Sequence, residues 1–146
     1  MDIPQTLIDD IVRHDVNVGD VYKITMSQAD GITTKDGYAV RDKFFVVLGF
    51  DEQGNVYGGI VLNSKINPNL PPIVKQYHMP ISAGNYTFLS HASFLNCSKM
   101  MTTTSTRLMQ GKKVGTINDD DLEMIRTTVC NYPNAIPYEL QRFGLI

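Results

Sequence analysis

Two apolar runs joined by a short turn constrain the fold of this chain more than any other feature of its sequence. The first run, KFFVVLGF at residues 43–50, is continuously apolar after Lys43 and rich in β-favouring residues, which is typical of a central strand. The turn sequence DEQGN separates it from VYGGIVL at residues 56–62, which is predicted to return as its hairpin partner. Gly58 and Gly59 weaken this second strand and predict a bend or a bulge there.

Shorter strands are predicted on either side of this hairpin. The sequence VYKITM at residues 21–26 has the alternating pattern of a strand. Strand-like runs also occur at residues 73–81, 86–97 and 112–117. The mostly polar stretch at residues 27–42 is predicted to be a long loop, and long loops in compact domains often carry function.

A helix is predicted near each end of the chain. At residues 3–14, apolar side chains recur at steps of three and four residues, which places them on one helical face. Near the other end, Asn118 is a suitable N-cap, and the three aspartates that follow it complement the helix dipole. This helix is predicted to reach about Cys130, and residues 136–143 to form one or two further turns.

These elements predict a single domain over residues 1–146 of class α+β, mainly β. The expected architecture is a small, strongly curved antiparallel sheet or barrel with a terminal helix at each end. No run approaches the roughly 18 to 20 apolar residues that span a bilayer, so no membrane partner is expected. The early acids, from Asp2 onward, do not fit a signal peptide, and we expect a cytoplasmic protein with Cys97 and Cys130 reduced.

Charge is distributed unevenly, although the formal net charge is only −2. The segment from residue 53 to residue 118, here called the acid-free middle, contains six bases but no aspartate or glutamate. The six bases are Lys65, Lys75, Lys99, Arg107, Lys112 and Lys113. If the six bases lie on one surface, they can bind a polyanion such as nucleic acid. Alternatively, they are scattered over the surface and neutralise the acids of the flanking segments. Charge alone leaves both alternatives open.

Familiar catalytic and metal-binding motifs are absent from the sequence. There is no phosphate-cradling glycine loop, no nucleophile elbow and no Cys-x-x-Cys pair. His14, His78 and His91 share no ligand spacing, and the consecutive aspartates have a helix-capping explanation, so no metal or other cofactor is expected. Cys97 lies in an apolar, strand-like setting and is predicted to belong to the core.

Hydroxyl side chains are concentrated at residues 102–106, between Lys99 and Arg107. Hydroxyl groups flanked by bases can contact phosphate oxygens. The same composition also fits a β-prone edge or a loop whose hydroxyls satisfy its own main chain.

Several segments occur in an order shared with a known family. A strand opens at Gly19-Asp20, a polar loop with glycines follows, and a basic residue leads into KFFVVLGF. Later, SFLNCSKMMTTTSTRL is followed by GKKVGTINDDDLEMI. This arrangement resembles the MazF/PemK family of bacterial toxin endoribonucleases. The resemblance covers residues 18–130 and leaves residues 1–17 as an N-terminal helical extension and residues 131–146 as a C-terminal extension.

The resemblance implies a compact SH3-like barrel, usually a homodimer, that cleaves single-stranded RNA without a metal. It also implies that the protein is the toxin of a pair and has an antitoxin partner. In such enzymes a basic residue stabilises the charge that develops on the phosphate, while acid and base groups move protons to and from the ribose oxygens.

Four residues are the candidates for this chemistry. The family's arginine at the junction of loop and strand falls on Lys43, and Arg41 lies two residues earlier as an alternative. The family's threonine at the end of the next strand pair falls on Asn63, with Ser64 beside it. Bases that flank the start of a strand are also commonly solvated surface residues, so a purely structural role for the two bases remains an alternative.

Three functions follow as hypotheses. The first is a MazF/PemK-like endoribonuclease, and the second is a non-catalytic member of that fold that binds nucleic acid through the acid-free middle. The third is a protein-interaction module that docks a partner through the acidic N-terminal helix or the tail. The arginine and aspartate of the family's late strand fall on Asn96 and Ser98 in this sequence. Loss of one charged catalytic group commonly lowers the rate by orders of magnitude, so the sequence does not decide whether the protein is catalytically active.

Overall fold

The computed structural model describes residues 3–34 and 37–146, with residues 9 and 12–14 described by their main chain only. In chain order, the elements are α1 (Gln5–Asp15), β1 (Asp20–Ser27), β2 (Val40–Phe50), β3 (Val56–Asn63), α2 (Pro72–Gln76), β4 (His78–Ile81), β5 (Ser93–Asn96), β6 (Met101–Thr104), α3 (Ser105–Gln110), β7 (Lys112–Thr116), α4 (Asp119–Asn131) and α5 (Pro137–Arg142). A 3-10 turn, Gln28–Asp30, follows β1. None of the helices in the described ranges is long and apolar enough to cross a membrane.

The strands form one antiparallel sheet with β2 near its centre, as the apolar run predicted. The order across the sheet is β4-β5-β3-β2-β1-β7. The sixth strand, β6, pairs with the first half of β3, while β5 pairs with its end. The predicted α+β class with a predominantly antiparallel sheet is therefore confirmed.

The closed form of the expected barrel is wrong, because the sheet remains open. Strands β4 and β7 stand at its opposite edges, and no strand pairing joins β7 to β4 or β6 within residues 3–34 and 37–146. Strand β3 takes two partners along its length, β6 along its first half and β5 at its end.

The bend predicted at Gly58 and Gly59 is confirmed. The register between β2 and β3 shifts between Val47 and Gly49, opposite these glycines. A Cβ atom on Gly59 would lie 1.9 Å from the carbonyl oxygen of Val46, and one on Gly58 would lie 2.5 Å from the ring of Phe143. Glycine is required at both positions because the main chain of β2 and the Phe143 side chain, which follows α5, leave no room for a Cβ atom.

Core residues fill both faces of the sheet, which explains why β2 is apolar without interruption from Phe44 to Phe50. One face carries the α4-side core, which includes Val46, Leu48, Ile60, Ile125 and Val129. The other face carries the α3-side core, which includes Tyr22, Ile24, Phe45, Met101 and Leu108. Alternate residues of β2 therefore enter different cores.

The predicted strands at 73–81 and 86–97 are wrong over most of their length. Pro72 occupies the first turn of α2, where its fixed φ favours a helix and its missing N–H costs nothing. Only His78–Ile81 and Ser93–Asn96 pair as strands, and turns occupy most of the residues between them. Apolar β-favouring composition did not distinguish ladder residues from turns that are also packed against the core.

The hydroxyl-rich stretch contains β6, in keeping with the β-prone edge that its composition allowed, and a short helix, α3, that the sequence did not predict. Thr104 ends the strand and caps the helix, since its side chain accepts a hydrogen bond from the Arg107 amide at 3.4 Å. Ser105 and Thr103 are buried. This outcome favours a structural use of the hydroxyl groups over an exposed phosphate-contacting loop.

The predicted helices near both termini are confirmed. In α4, the Asn118 side chain accepts a hydrogen bond from the Asp121 amide at 2.8 Å, as expected for an N-cap. In α1 the apolar face is only partly covered, because Ile8 packs against the α3-side core while Leu7 and Ile11 are exposed. The side chain of Val12, also assigned to that face, lies outside the described residues.

Candidate active site

The most unusual polar residue of the described structure is Lys43, a buried cation on β2. Its neighbour on β1 is Ile24, which places it on the face of the α3-side core, and only 6% of it is exposed. Its Nζ donates a hydrogen bond to Oδ1 of Asn63 at 2.5 Å. No ion pair joins it to a carboxylate among the described residues. A buried charge without a counterion is costly, and such groups are enriched at functional sites.

Burial lowers the pKa of Lys43 from its ordinary 10.5 to about 8, and the positive charge of Arg41 adds to this effect. Near neutral pH the side chain is then mainly an ammonium group that releases its proton more readily than an exposed lysine. A group with a pKa close to the working pH is suited to proton transfer.

The other three candidate residues lie close to Lys43 along the two strands. Arg41 is exposed and stands two residues earlier on β2, opposite Met26, so its side chain projects on the same face. Asn63 is the last residue of β3 and is half-buried. Ser64 is exposed in the bend that follows β3. The structure thus brings Lys43 and Asn63 into contact, places Arg41 beside them, and leaves Ser64 at the rim.

Two bases of the acid-free middle contact the end of β1 and the turn that follows it. Arg107 forms a two-pronged ion pair with Asp30, with N–O distances of 2.7 and 2.6 Å, and also donates to the carbonyl oxygen of Thr25. Lys99 Nζ donates to the carbonyl oxygen of Gly31 at 2.7 Å. Both bases are engaged in structural contacts beside the site.

The sequence reasoning missed Asp30, although a local signal was present. Ser27 and Asp30 have the spacing of a capping box, and the Asp30 carboxylate accepts the Ser27 amide at 2.8 Å. The hydrogen bond from Arg107 is the main cause that lowers the pKa of Asp30 to about 2.

Replacing Asp30 with asparagine is expected to destabilise the fold by about 1 kcal/mol near pH 7, a value that allows for the partial exposure of the ion pair. The folded-state pKa lies below the unfolded one, so the stabilisation is present above about pH 4 and is lost as the pH falls toward 2. Urea denaturation of wild type and of Asp30→Asn, near pH 7 and near pH 2, measures the difference in the free energy of unfolding. An equal difference at both would contradict the assignment of the stabilisation to the carboxylate.

The remaining bases of the acid-free middle do not gather around Lys43. Lys113 pairs with the buried carboxylate of Asp20 at 3.3 Å. Lys75 lies on α2, which precedes the edge strand β4, whereas Lys112 lies on β7 at the opposite edge. Lys65 is exposed next to Ser64. Two bases of the acid-free middle, Arg107 and Lys113, therefore pair with acids of the flanking segment, and the other bases lie at positions distant from one another.

The histidines and cysteines form no second site in the described structure. His78 is buried, with Nδ1 at 2.8 Å from the carbonyl oxygen of Val74, while His91 is exposed; the side chain of His14 lies outside the description. Cys97 belongs to the core, as predicted, and burial raises its pKa to about 12. Within the described residues, no three histidine, cysteine or acidic side chains are placed to share a metal.

Comparison of the sequence with protein-family models gives no match, and comparison with curated proteins gives none either.

Proposed function

We propose that this protein is an endoribonuclease of the MazF/PemK kind that acts on single-stranded RNA. The observation that carries the proposal is the buried Lys43 ammonium, hydrogen-bonded to Asn63 with Arg41 beside it. These are the positions on which the family's arginine and threonine fall, and their contact across β2 and β3 supports that correspondence. Among the described residues no carboxylate pairs with Lys43, and the exposed Arg41 beside it is accessible to the phosphate of a substrate.

The proposed reaction is attack of a ribose 2′-oxygen on the adjacent phosphorus. The 2′-O–P bond forms, the P–O5′ bond breaks, and a 2′,3′-cyclic phosphate and a 5′-hydroxyl result. The 2′-hydroxyl proton passes to water, and the Lys43 ammonium donates its proton to the departing 5′-oxygen before solvent reprotonates it. Arg41 binds the non-bridging oxygens, where negative charge accumulates, and Asn63 orients Lys43.

The decisive experiment incubates the purified protein with a long single-stranded RNA and separates the products by gel. Wild type is compared with the double variant Arg41→Ala/Lys43→Ala and with Arg126→Gln, which removes a base on α4 away from the site. Fragments from wild type and from Arg126→Gln, but not from the double variant, are expected. EDTA is expected to leave the fragments unchanged, since only side chains take part. Identical fragments from the double variant would assign the cleavage to a contaminant.

Binding of RNA without cleavage is the second candidate function. Ser98 donates from both its amide and its hydroxyl to the Asn96 side chain, at the positions where some family members carry an arginine and an aspartate. These two side chains are neutral and engaged with one another, which favours a reduced catalytic set. Salt-sensitive RNA binding without fragments would support this function, and absence of binding at low salt would exclude both.

A homodimer and an antitoxin partner belong to the same proposal and rest on the resemblance. Sedimentation of the purified protein at several concentrations tests the dimer.

A further inference from the structure

A second basic cleft lies on the opposite face of the sheet from Lys43. Lys23 on β1 pairs directly with Lys112 on β7. Directly opposed residues of an antiparallel ladder point to the same face, with Cβ atoms about 4.5–5.5 Å apart. Lys23 also pairs with Phe44, the neighbour of Lys43 on β2, so successive side chains place the two sites on different faces.

No carboxylate among the described residues forms an ion pair with either of these two like charges. Both lysines are exposed, and neither ammonium group has a hydrogen-bond or ion-pair partner among the described residues. Like charges placed directly opposite one another destabilise a sheet. An anion bound between them would convert this repulsion into attraction.

The two lysines stand at a polar cleft of about 280 Å³ that Arg107 also lines. The guanidinium of Arg107 is held in place by Asp30 and by the carbonyl oxygen of Thr25. Asp42 is the acidic residue of the lining, and its Oδ1 accepts a hydrogen bond from the Thr25 hydroxyl at 2.8 Å. Because Asp30 already pairs with Arg107, the positive charge that a ligand would meet comes chiefly from Lys23 and Lys112.

We propose that this cleft binds a phosphate group, with Lys23 and Lys112 as its two principal contacts. The ligand chemistry is that of a phosphate dianion or a pyrophosphate, either free or carried by a nucleotide. Arg107, held by Asp30 and Thr25, forms one wall of the cleft. The inference is independent of the proposed ribonuclease activity, because it uses neither Lys43 nor Asn63.

The test is the thermal unfolding midpoint measured with and without sodium pyrophosphate, against sodium chloride at matched ionic strength. Pyrophosphate is expected to raise the midpoint of wild type and of the Arg126→Gln control by about 2–5 °C. The variant Lys23→Gln/Lys112→Gln is expected to fold and to lose this shift. No shift in wild type, or an equal shift in the double variant, would overturn the proposal.

Further arms with inorganic phosphate, a nucleoside triphosphate and a short single-stranded oligonucleotide identify the source of the group. Given the shift with pyrophosphate, a shift with the first two and none with the oligonucleotide assigns the cleft to free phosphates and nucleotides. A shift with the oligonucleotide at least as large as that with pyrophosphate assigns it to a polynucleotide backbone. In each case the double variant must lose the shift.

Discussion

Replacing Lys43 with methionine is expected to lower the rate of RNA cleavage by about 10²–10⁴-fold, the usual contribution of a positioned proton-transfer group. The same change is expected to raise the free energy of unfolding near pH 7 by about 1–3 kcal/mol, because it removes a buried cation that no carboxylate of the described residues neutralises. Single-turnover cleavage and urea denaturation measure the two effects. A gain in stability with a loss of activity separates a catalytic role from a structural one.

The pH dependence of stability checks the same residue. The folded-state pKa of about 8 lies below the ordinary 10.5, so the unfolded chain binds more protons between these values. The stability of wild type should therefore rise across that window, and the advantage of Lys43→Met should shrink. A constant advantage across the window would show that the charge of Lys43 is not the cause.

Lys43→Arg is the conservative control for the reaction. Arginine keeps the positive charge but stays protonated, so it can bind the phosphate but cannot donate a proton as readily. Because this change also places the family's own residue at the position, we expect Lys43→Arg to bind RNA as wild type does and to keep measurable cleavage, at a lower rate because arginine releases its proton less readily. Cleavage by Lys43→Arg at the wild-type rate would leave electrostatic stabilisation as the role of this position.

Replacing Gly59 with alanine is expected to lower the free energy of unfolding by about 3 kcal/mol or more, at the upper end of the cost of overpacking. The added methyl group would lie 1.9 Å from the carbonyl oxygen of Val46, which belongs to the adjacent strand and cannot rotate away. Chemical denaturation measures the loss.

Gly84→Ala is the matched control for this substitution. A Cβ atom at Gly84 would meet only the Ser82 hydroxyl oxygen, at an ordinary 3.5 Å, and this residue lies in a turn outside the sheet. Its effect is expected to stay within about 0.5 kcal/mol, as for most surface substitutions. Equal losses in both variants would show that the close packing at Gly59 is not responsible.

Elements with a strong local signal were predictable from the sequence. The run in β2 is apolar at every core position after Lys43, and the Asn118 cap specifies the start of α4 through atoms only three residues apart. The regions between β3 and β7 were not predictable in the same way. Their strands are four residues long, and which apolar residues enter a ladder depends on the space that β3 leaves at its two ends.

The candidate site was predictable in part, as residue identities without geometry. The family resemblance selected Lys43 and Asn63 separately, and the hairpin register brings them together. The bases of the acid-free middle could not be assigned in advance. Arg107 and Asp30 are separated by 77 residues, and only folding places them in contact.

By itself, the sequence determined the central hairpin, its glycine bend and the two terminal helices, because periodicity, turn residues and capping act over a few neighbouring residues. Only the tertiary structure decided that the sheet stays open and which charges are neutralised. The burial of Lys43, its hydrogen bond to Asn63 and its lowered pKa likewise depend on the tertiary structure. Desolvation and long-range pairing arise when distant strands pack, and no local pattern in the chain encodes them.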